Sequence, residues 1–180
     1  MDWDLWVPII VSIAALLFAI LSFWWMHWRT GNLIISTPFS YRAAKMPDGG
    51  LAIDLPFHFY NNGAAPIIVE NLYLKIHYQD IHIPLFFNNT RDSVDDLKLK
   101  TATQFVISGR NFVTNIYSFQ VRDRQVNINI GKWDCELFGK INNKGYKILS
   151  KFTLNVKYFS DRAISHLNLD EEYRKLVEKP

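Results

Sequence analysis

The side chains of this sequence that could do metal chemistry gather around one predicted turn, at His77, Asp80 and His82. Two imidazoles and a carboxylate are ligands that zinc accepts in tetrahedral sites. The alternation of polar and apolar residues along two strands accounts for each histidine without a ligand, however. We therefore expect no cofactor, and a metal-dependent enzyme built on His77 and His82 is the least favoured function.

Other catalytic chemistry finds little support in the sequence. No Gly-x-Ser-x-Gly elbow, phosphate loop or dinucleotide fingerprint is present. The one cysteine, Cys135, stands between Asp134 and Glu136, and acidic neighbours disfavour a reactive thiolate. The sequence thus predicts neither an enzyme nor a small-molecule substrate.

A run of basic residues is the remaining chemical feature. Five lysines and no acid lie between Phe138 and Phe159: Lys140, Lys144, Lys147, Lys151 and Lys157. They could bind an anionic ligand, either lipid headgroups or nucleic acid. Nucleic acid is not favoured, because neither arginines nor an exposed aromatic platform are evident. Lysines that protect a solvated sheet edge against aggregation are the simpler explanation.

The composition describes the molecule that must position these residues. The chain has 180 residues with 49% hydrophobic residues, one cysteine and a net charge of +3. Apolar residues are concentrated at the N-terminus, where they make up 22 of the first 30. This distribution excludes a disordered chain, an intramolecular disulfide framework and a multi-span transporter.

The N-terminal apolar segment predicts one transmembrane helix. Residues 6–25 contain no charged side chain, and as a helix they span roughly 28 Å, close to the ~30 Å hydrocarbon core. The first residues carry no basic charge and no Ala-x-Ala follows, so we expect an uncleaved anchor with residues 6–26 in the bilayer. Tryptophans and one arginine mark its two interfaces: Trp3, Trp6, Trp24, Trp25, Trp28 and Arg29.

The charges flanking the helix favour one orientation in the cell membrane. Asp2 and Asp4 precede the helix, whereas Arg29, Arg42 and Lys45 follow it. Basic flanks tend to stay in the cytoplasm. We therefore expect a single-pass protein whose large domain is cytoplasmic; the opposite orientation, towards the exterior or periplasm, stays open.

The rest of the chain reads as strands and turns. Period-2 alternation or β-branched apolar runs predict strands at 32–44, 51–60, 72–78, 81–85, 97–107, 112–121, 126–138 and 146–159. A two-residue turn at Gln79-Asp80 would pair His77 with His82, and Ile76 with Ile83, across a hairpin. Lys45 to Gly50 and Asn142 to Gly145 supply further turns.

These elements predict three segments. Residues 1–30 form the anchor with its flanks, 31–160 an all-β domain, and 161–180 a tail with a short helix that begins near Asp170. Strands without intervening helices favour an antiparallel β-sandwich of about seven to eight strands.

Residues 55–76, LPFHFYNNGAAPIIVENLYLKI, carry a resemblance. They are similar to the strand–loop–strand of immunoglobulin-like sandwiches in small bacterial single-pass membrane proteins. Residues 103–110, TQFVISGR, fit the later part of the same pattern. The resemblance implies an immunoglobulin-like β-sandwich behind a single anchor, and it implies no catalytic residues.

Taken together, the sequence favours a membrane-anchored, non-catalytic accessory or protein-interaction module, such as a subunit of a membrane complex. An exposed edge strand could recruit a protein partner by strand addition. The alternative is a cytoplasmic-face binder of an anionic ligand through the lysines of 140–157.

Overall fold

The structure is a computed structural model that describes residues 3–92, 100–122, 125–159 and 166–167. One helix, α1 (Trp3–His27), precedes eleven strands. The strands are β1 (Leu33–Ile35), β2 (Ser40–Lys45), β3 (Leu51–Asn61), β4 (Ile67–Tyr78), β5 (Ile81–Arg91), β6 (Lys100–Thr101), β7 (Phe105–Ile107), β8 (Phe112–Val121), β9 (Gly131–Ile141), β10 (Tyr146–Val156) and β11 (His166–Leu167). The predicted C-terminal helix near Asp170 lies outside the described residues.

Helix α1 agrees with the predicted span. Within Trp6–His27, an 18-residue window has a mean hydropathy of 2.5, and none of that window is buried against the rest of the protein. Pro8 lies in the first turns, and Ser12 Oγ donates a hydrogen bond to the Pro8 carbonyl at 2.7 Å. The helix is long and apolar enough to cross a membrane.

The strands form one antiparallel sheet in the order β10-β9-β4-β5-β8-β3-β2-β11, with β1, β6 and β7 attached to β3, β5 and β4. The ends of this order approach each other, because the hydroxyl of Tyr41 on β2 donates to the Asn155 carbonyl on β10 at 3.0 Å. The antiparallel β prediction is therefore confirmed. The sheet is continuous and nearly closed, so the domain is barrel-like, and the immunoglobulin-like two-sheet arrangement stays a prediction.

Aromatic rings fill the interior of the barrel. Phe57 packs against Phe59, Tyr117, Phe119 and Phe152, with ring centroids 5.7–6.5 Å apart. All five rings are buried, as the alternation in β3, β8 and β10 requires. Burial raises the pKa of the Tyr117 hydroxyl.

One buried ion cluster joins three strands. Asp54 on β3 pairs with Arg91 on β5 at 2.6 Å and with Arg42 on β2. Asp54 and Arg91 are both buried. Removing one partner of a buried pair leaves an uncompensated charge, so this cluster ties the strands together.

Most of the predicted strands have different bounds. The 72–78 and 81–85 strands are longer, as β4 and β5, the 146–159 strand ends at Val156, and three further segments differ more. The 32–44 segment is divided at buried Pro38, which cannot donate to the sheet, into β1 and β2. The 97–107 segment contains two short strands: β6, which pairs with β5, and β7, which pairs with β4. Residues 97–99 lie outside the described residues. The 126–138 strand begins only at Gly131, whose φ is 145°; Val126 to Ile130 alternate like a strand but lie in a connection.

Candidate binding surface

Four strands present one continuous outer face. On β5, β4, β9 and β10, residues that pair across the strands fall into rows whose side chains share a face of the sheet. We call the three outward rows the aromatic row (Phe86, Tyr73, Phe138, Ile148), the charged row (Pro84, Lys75, Glu136, Lys151) and the histidine row (His82, His77, Asp134, Thr153).

The aromatic row holds stacked rings on the surface. Tyr73 and Phe138 stack at 4.5 Å with their planes 6° apart, and Tyr146 meets Tyr73 edge-on at 5.3 Å. Phe86 is 64% exposed and Ile148 is 44% exposed. Burial, Tyr146 and Glu136 raise the pKa of the Tyr73 hydroxyl. An exposed aromatic platform therefore exists, contrary to the sequence-based expectation.

A cavity of about 310 Å³ opens beside this row, between Tyr73, Pro84, Phe86 and Tyr146. It lies where β4 and β5 diverge, because β5 pairs with β4 only as far as Phe86. Asn71 Nδ2 donates to the Tyr146 hydroxyl at 2.9 Å and fixes one wall. The cavity can accept an apolar side chain, and its polar wall can orient a backbone group.

Glu136 is the centre of the charged row. Its carboxylate pairs with Lys151 Nζ at 2.7 Å and with His77 Nε2 at 3.2 Å. The hydrogen bond from Lys151, followed by that from His77, lowers the pKa of Glu136. Sequence analysis missed Glu136 as the partner of His77, because β9 pairs with β4 from far along the chain.

The hairpin prediction is confirmed, and the metal candidate is not assembled. His77 faces His82 across β4 and β5, with ring centroids 4.6 Å apart, and Ile76 pairs with Ile83. Asp80 is exposed in the turn. Among the described residues, no group of three His, Cys, Asp or Glu side chains is arranged to hold a metal ion.

The five candidate lysines do not form one patch. Lys140 pairs with Glu70 at 2.7 Å, and Lys151 pairs with Glu136. The backbone N–H of Lys157 donates to the Tyr41 hydroxyl, beyond the far end of β10. Lys144 and Lys147 are exposed near the β9–β10 turn. Two of the five charges are thus neutralised by neighbouring strands, which the sequence run did not show.

The candidate interface residues of the anchor all lie on or just after α1. The side chains of Trp6, Trp24, Trp25 and Trp28 are exposed, whereas Trp3 begins the helix with its side chain outside the described part. Arg29 lies 4.4 Å from the centre of the Trp25 ring and donates to the Asn62 carbonyl at 2.6 Å. Arg29 therefore connects the helix to the barrel.

Cys135 takes no part in this surface chemistry. Its thiol is buried, and burial together with nearby Asp134 raises its pKa. A thiol with a raised pKa is a poor nucleophile at neutral pH.

Comparisons with known proteins assign no family. No family model matches the chain, and no curated protein matches its sequence significantly. Two solved structures are similar in part: one of a Bordetella pertussis protein designated ApaA (10% identity, 71% of this chain and 96% of that chain, TM-score 0.41), and one of an Archaeoglobus fulgidus protein (9% identity, 74% and 98%, TM-score 0.42). At these TM-scores the similarity carries no argument about function.

Proposed function

We propose that this protein is a membrane-anchored, non-catalytic module that binds a protein partner through the aromatic row. The observation that carries the proposal is the row of three rings and Ile148 that crosses four strands on the solvent side of the barrel. The barrel core is formed by other side chains, and Phe86, Tyr73 and Phe138 do not belong to it. Exposed aromatic residues beside a small cavity are typical of binding hot spots.

The edge of the sheet supports the same proposal. β10 ends the strand order, and its first residues, from Tyr146 to Ile148, are exposed. An extended segment of a partner could pair with this edge, while its alternate side chains contact Ile148 and Phe138. An immunoglobulin-like arrangement, which the resemblance implies, would use an edge strand and a sheet face in this way.

The anchor sets where such a module works. We propose that α1 spans the cell membrane once and that the barrel lies on the cytoplasmic side. The basic residues Arg29 and Arg110, which lie together at the end of α1, support this orientation. Protease digestion of intact and opened cells, with an epitope after Pro180, checks it; loss of the epitope in intact cells would contradict it.

Site-specific photo-crosslinking in the native membranes tests the binding function. A benzoyl-phenylalanine is placed at Phe86 or at Ile148, on the full chain. We expect both positions to give the same adduct, identified by mass spectrometry as one polypeptide, because the two side chains are the ends of the aromatic row.

The matched control is the same probe at Phe39, which is 57% exposed and stacks against His58 away from this face. The control should give no such adduct, and Tyr73→Ser should remove the adduct from both test positions. No adduct from either test position, or an identical adduct from Phe39, would contradict the proposed function.

A further inference from the structure

One end of the barrel is fixed against the end of α1. Arg110 donates to the Trp25 carbonyl at 3.2 Å, and the Ala64 N–H donates to the Arg29 carbonyl at 2.8 Å. Gly31 and Gly63 touch so closely that a Cβ on either would overlap the backbone of the other. We call this the membrane-proximal end, since it adjoins the point where α1 ends.

Exposed apolar side chains surround this end. Ile34, Tyr60 and Phe112 form one outward row across β1, β3 and β8, and are 50%, 40% and 65% exposed. On the next strands, Ile68 pairs with Val106, and they are 40% and 54% exposed. We call these five residues the collar. Exposure of these apolar side chains to water is unfavourable, and such a set is typical of a surface that binds a protein or a membrane.

Basic groups accompany the collar. Arg29 stacks on Trp25, and Arg110 reaches the last turns of α1. Lys144 lies in the β9–β10 turn, which is held beside Ile68 because Asn142 N–H donates to the Ile68 carbonyl at 3.0 Å. The nearby acid Glu70 is already paired with Lys140. The membrane-proximal end therefore combines apolar side chains with positive charge.

From these observations we infer that the collar lies in the headgroup region of the bilayer that α1 crosses, and that Lys144 and the two arginines bind anionic phospholipid there. The inference rests on the proposed anchor and is independent of the aromatic row. Lipid is the occupant because α1 and its contacts hold this end at the membrane surface. Aromatic, aliphatic and basic side chains are all typical of protein surfaces that lie at the membrane–water interface.

Fluorescence quenching in vesicles tests the inference on the full chain. A polarity-sensitive fluorophore is attached to a cysteine introduced by Phe112→Cys or, as the matched control, by Ile81→Cys. Native Cys135 does not compete for the label because it is buried. Ile81 is similarly apolar and exposed, but it follows the β4–β5 turn at the opposite end of the barrel. Vesicles contain phosphatidylcholine alone or an equimolar mixture with phosphatidylglycerol, plus a headgroup spin label.

We expect quenching at position 112 and none at position 81, with stronger quenching when phosphatidylglycerol is present. Lys144→Ala should reduce the gain that the anionic lipid gives, because Arg29 and Arg110 remain, while Lys157→Ala, at the other end of β10, should preserve it in full. Equal quenching at both positions, or no effect of phosphatidylglycerol, would overturn the inference.

A separate readout distinguishes failure of the collar from failure of the anchor. Quenching of the α1 tryptophans by an acyl-chain spin label reports insertion of the helix. Inserted helices with an unquenched position 112 would overturn the collar and leave the proposed function intact. Helices that do not insert would overturn both the collar and the proposed anchor.

Discussion

The side chain of Asn61 holds the membrane-proximal end together. It is fully buried, and its amide donates to the carbonyls of Ala65 at 2.8 Å and Ile107 at 3.2 Å, while its oxygen accepts from the Gly63 N–H at 2.9 Å. The Asn-x-Gly spacing within residues 55–76 thus has a structural reason. It closes the β3–β4 connection under the end of α1.

Replacing this side chain should loosen the barrel. We expect Asn61→Ala to lower the free energy of unfolding by about 2–3 kcal/mol, because buried backbone groups lose their partners. Denaturation of the detergent-solubilised chain, followed by circular dichroism, measures this change. Asn127→Ala, at an exposed asparagine, is the control, and equal stability of the two variants would show that Asn61 is not a structural centre.

Glu136 offers a test of the charged row by titration. Its pKa lies below the usual glutamate range because Lys151 and His77 donate to it. The pairs therefore stabilise the fold above the usual glutamate pKa, and this contribution is lost as the pH falls through the lowered value.

We expect Lys151→Ala to raise the Glu136 pKa towards its ordinary value, because the largest cause of the shift is removed. Carboxyl carbon NMR of labelled protein follows the titration directly. Lys157→Ala should leave it unchanged. An unaltered Glu136 titration in Lys151→Ala would mean that the ion pair does not exist in solution.

At the scale of the elements, the β4–β5 hairpin carries a local strain. Gln79 adopts a φ of 52°, a left-handed conformation that costs roughly 1 kcal/mol for most residues and little for glycine. We expect Gln79→Gly to raise the unfolding free energy by about 0.5 kcal/mol, after the added freedom of the unfolded chain is subtracted. Asp80 does not have a positive φ, so Asp80→Gly should not raise the unfolding free energy. The same denaturation experiment compares them, and a loss of stability in Gln79→Gly would contradict this account of the turn.

Local elements were predictable where alternation is regular and a turn is short. The β4–β5 register follows from the residues on either side of Gln79-Asp80, and β3 and β8 have nearly their predicted bounds. The start of β9 was not predictable, because Val126 and Ile128 alternate as a strand does. In the structure Ile128 is buried within a connection, and the Trp133 Nε1–H donates to the Asn129 carbonyl at 3.0 Å.

The candidate surface was less predictable than its strands. Alternation places Tyr73 and Phe138 on the outside of their own strands, but it does not make β4 and β9 neighbours. Pairing between strands distant in sequence depends on the packing of the whole core. For the same reason, Arg110 and Lys144 could not be recognised as belonging to the end of the barrel that carries Arg29.

On the scale of the whole molecule, we propose separate tasks for one end and one face of the barrel. The membrane-proximal end meets α1 and the lipid, and the outer face of β5, β4, β9 and β10 meets the partner. Because contacts with residues 25–31 fix one end of the barrel to α1, insertion of α1 would hold the aromatic row at a restricted height above the bilayer. This restriction suits a partner that is itself in the membrane.

The anchor is the central claim, because the proposed function and the collar both depend on it. Alkaline carbonate extraction of membranes that contain the full chain tests it most directly. The control is Leu16→Arg with Ile20→Arg, since each charge at the middle of a helix opposes insertion by about 3 kcal/mol. We predict that the native chain stays in the membrane pellet and the control chain is released; release of the native chain would contradict the account.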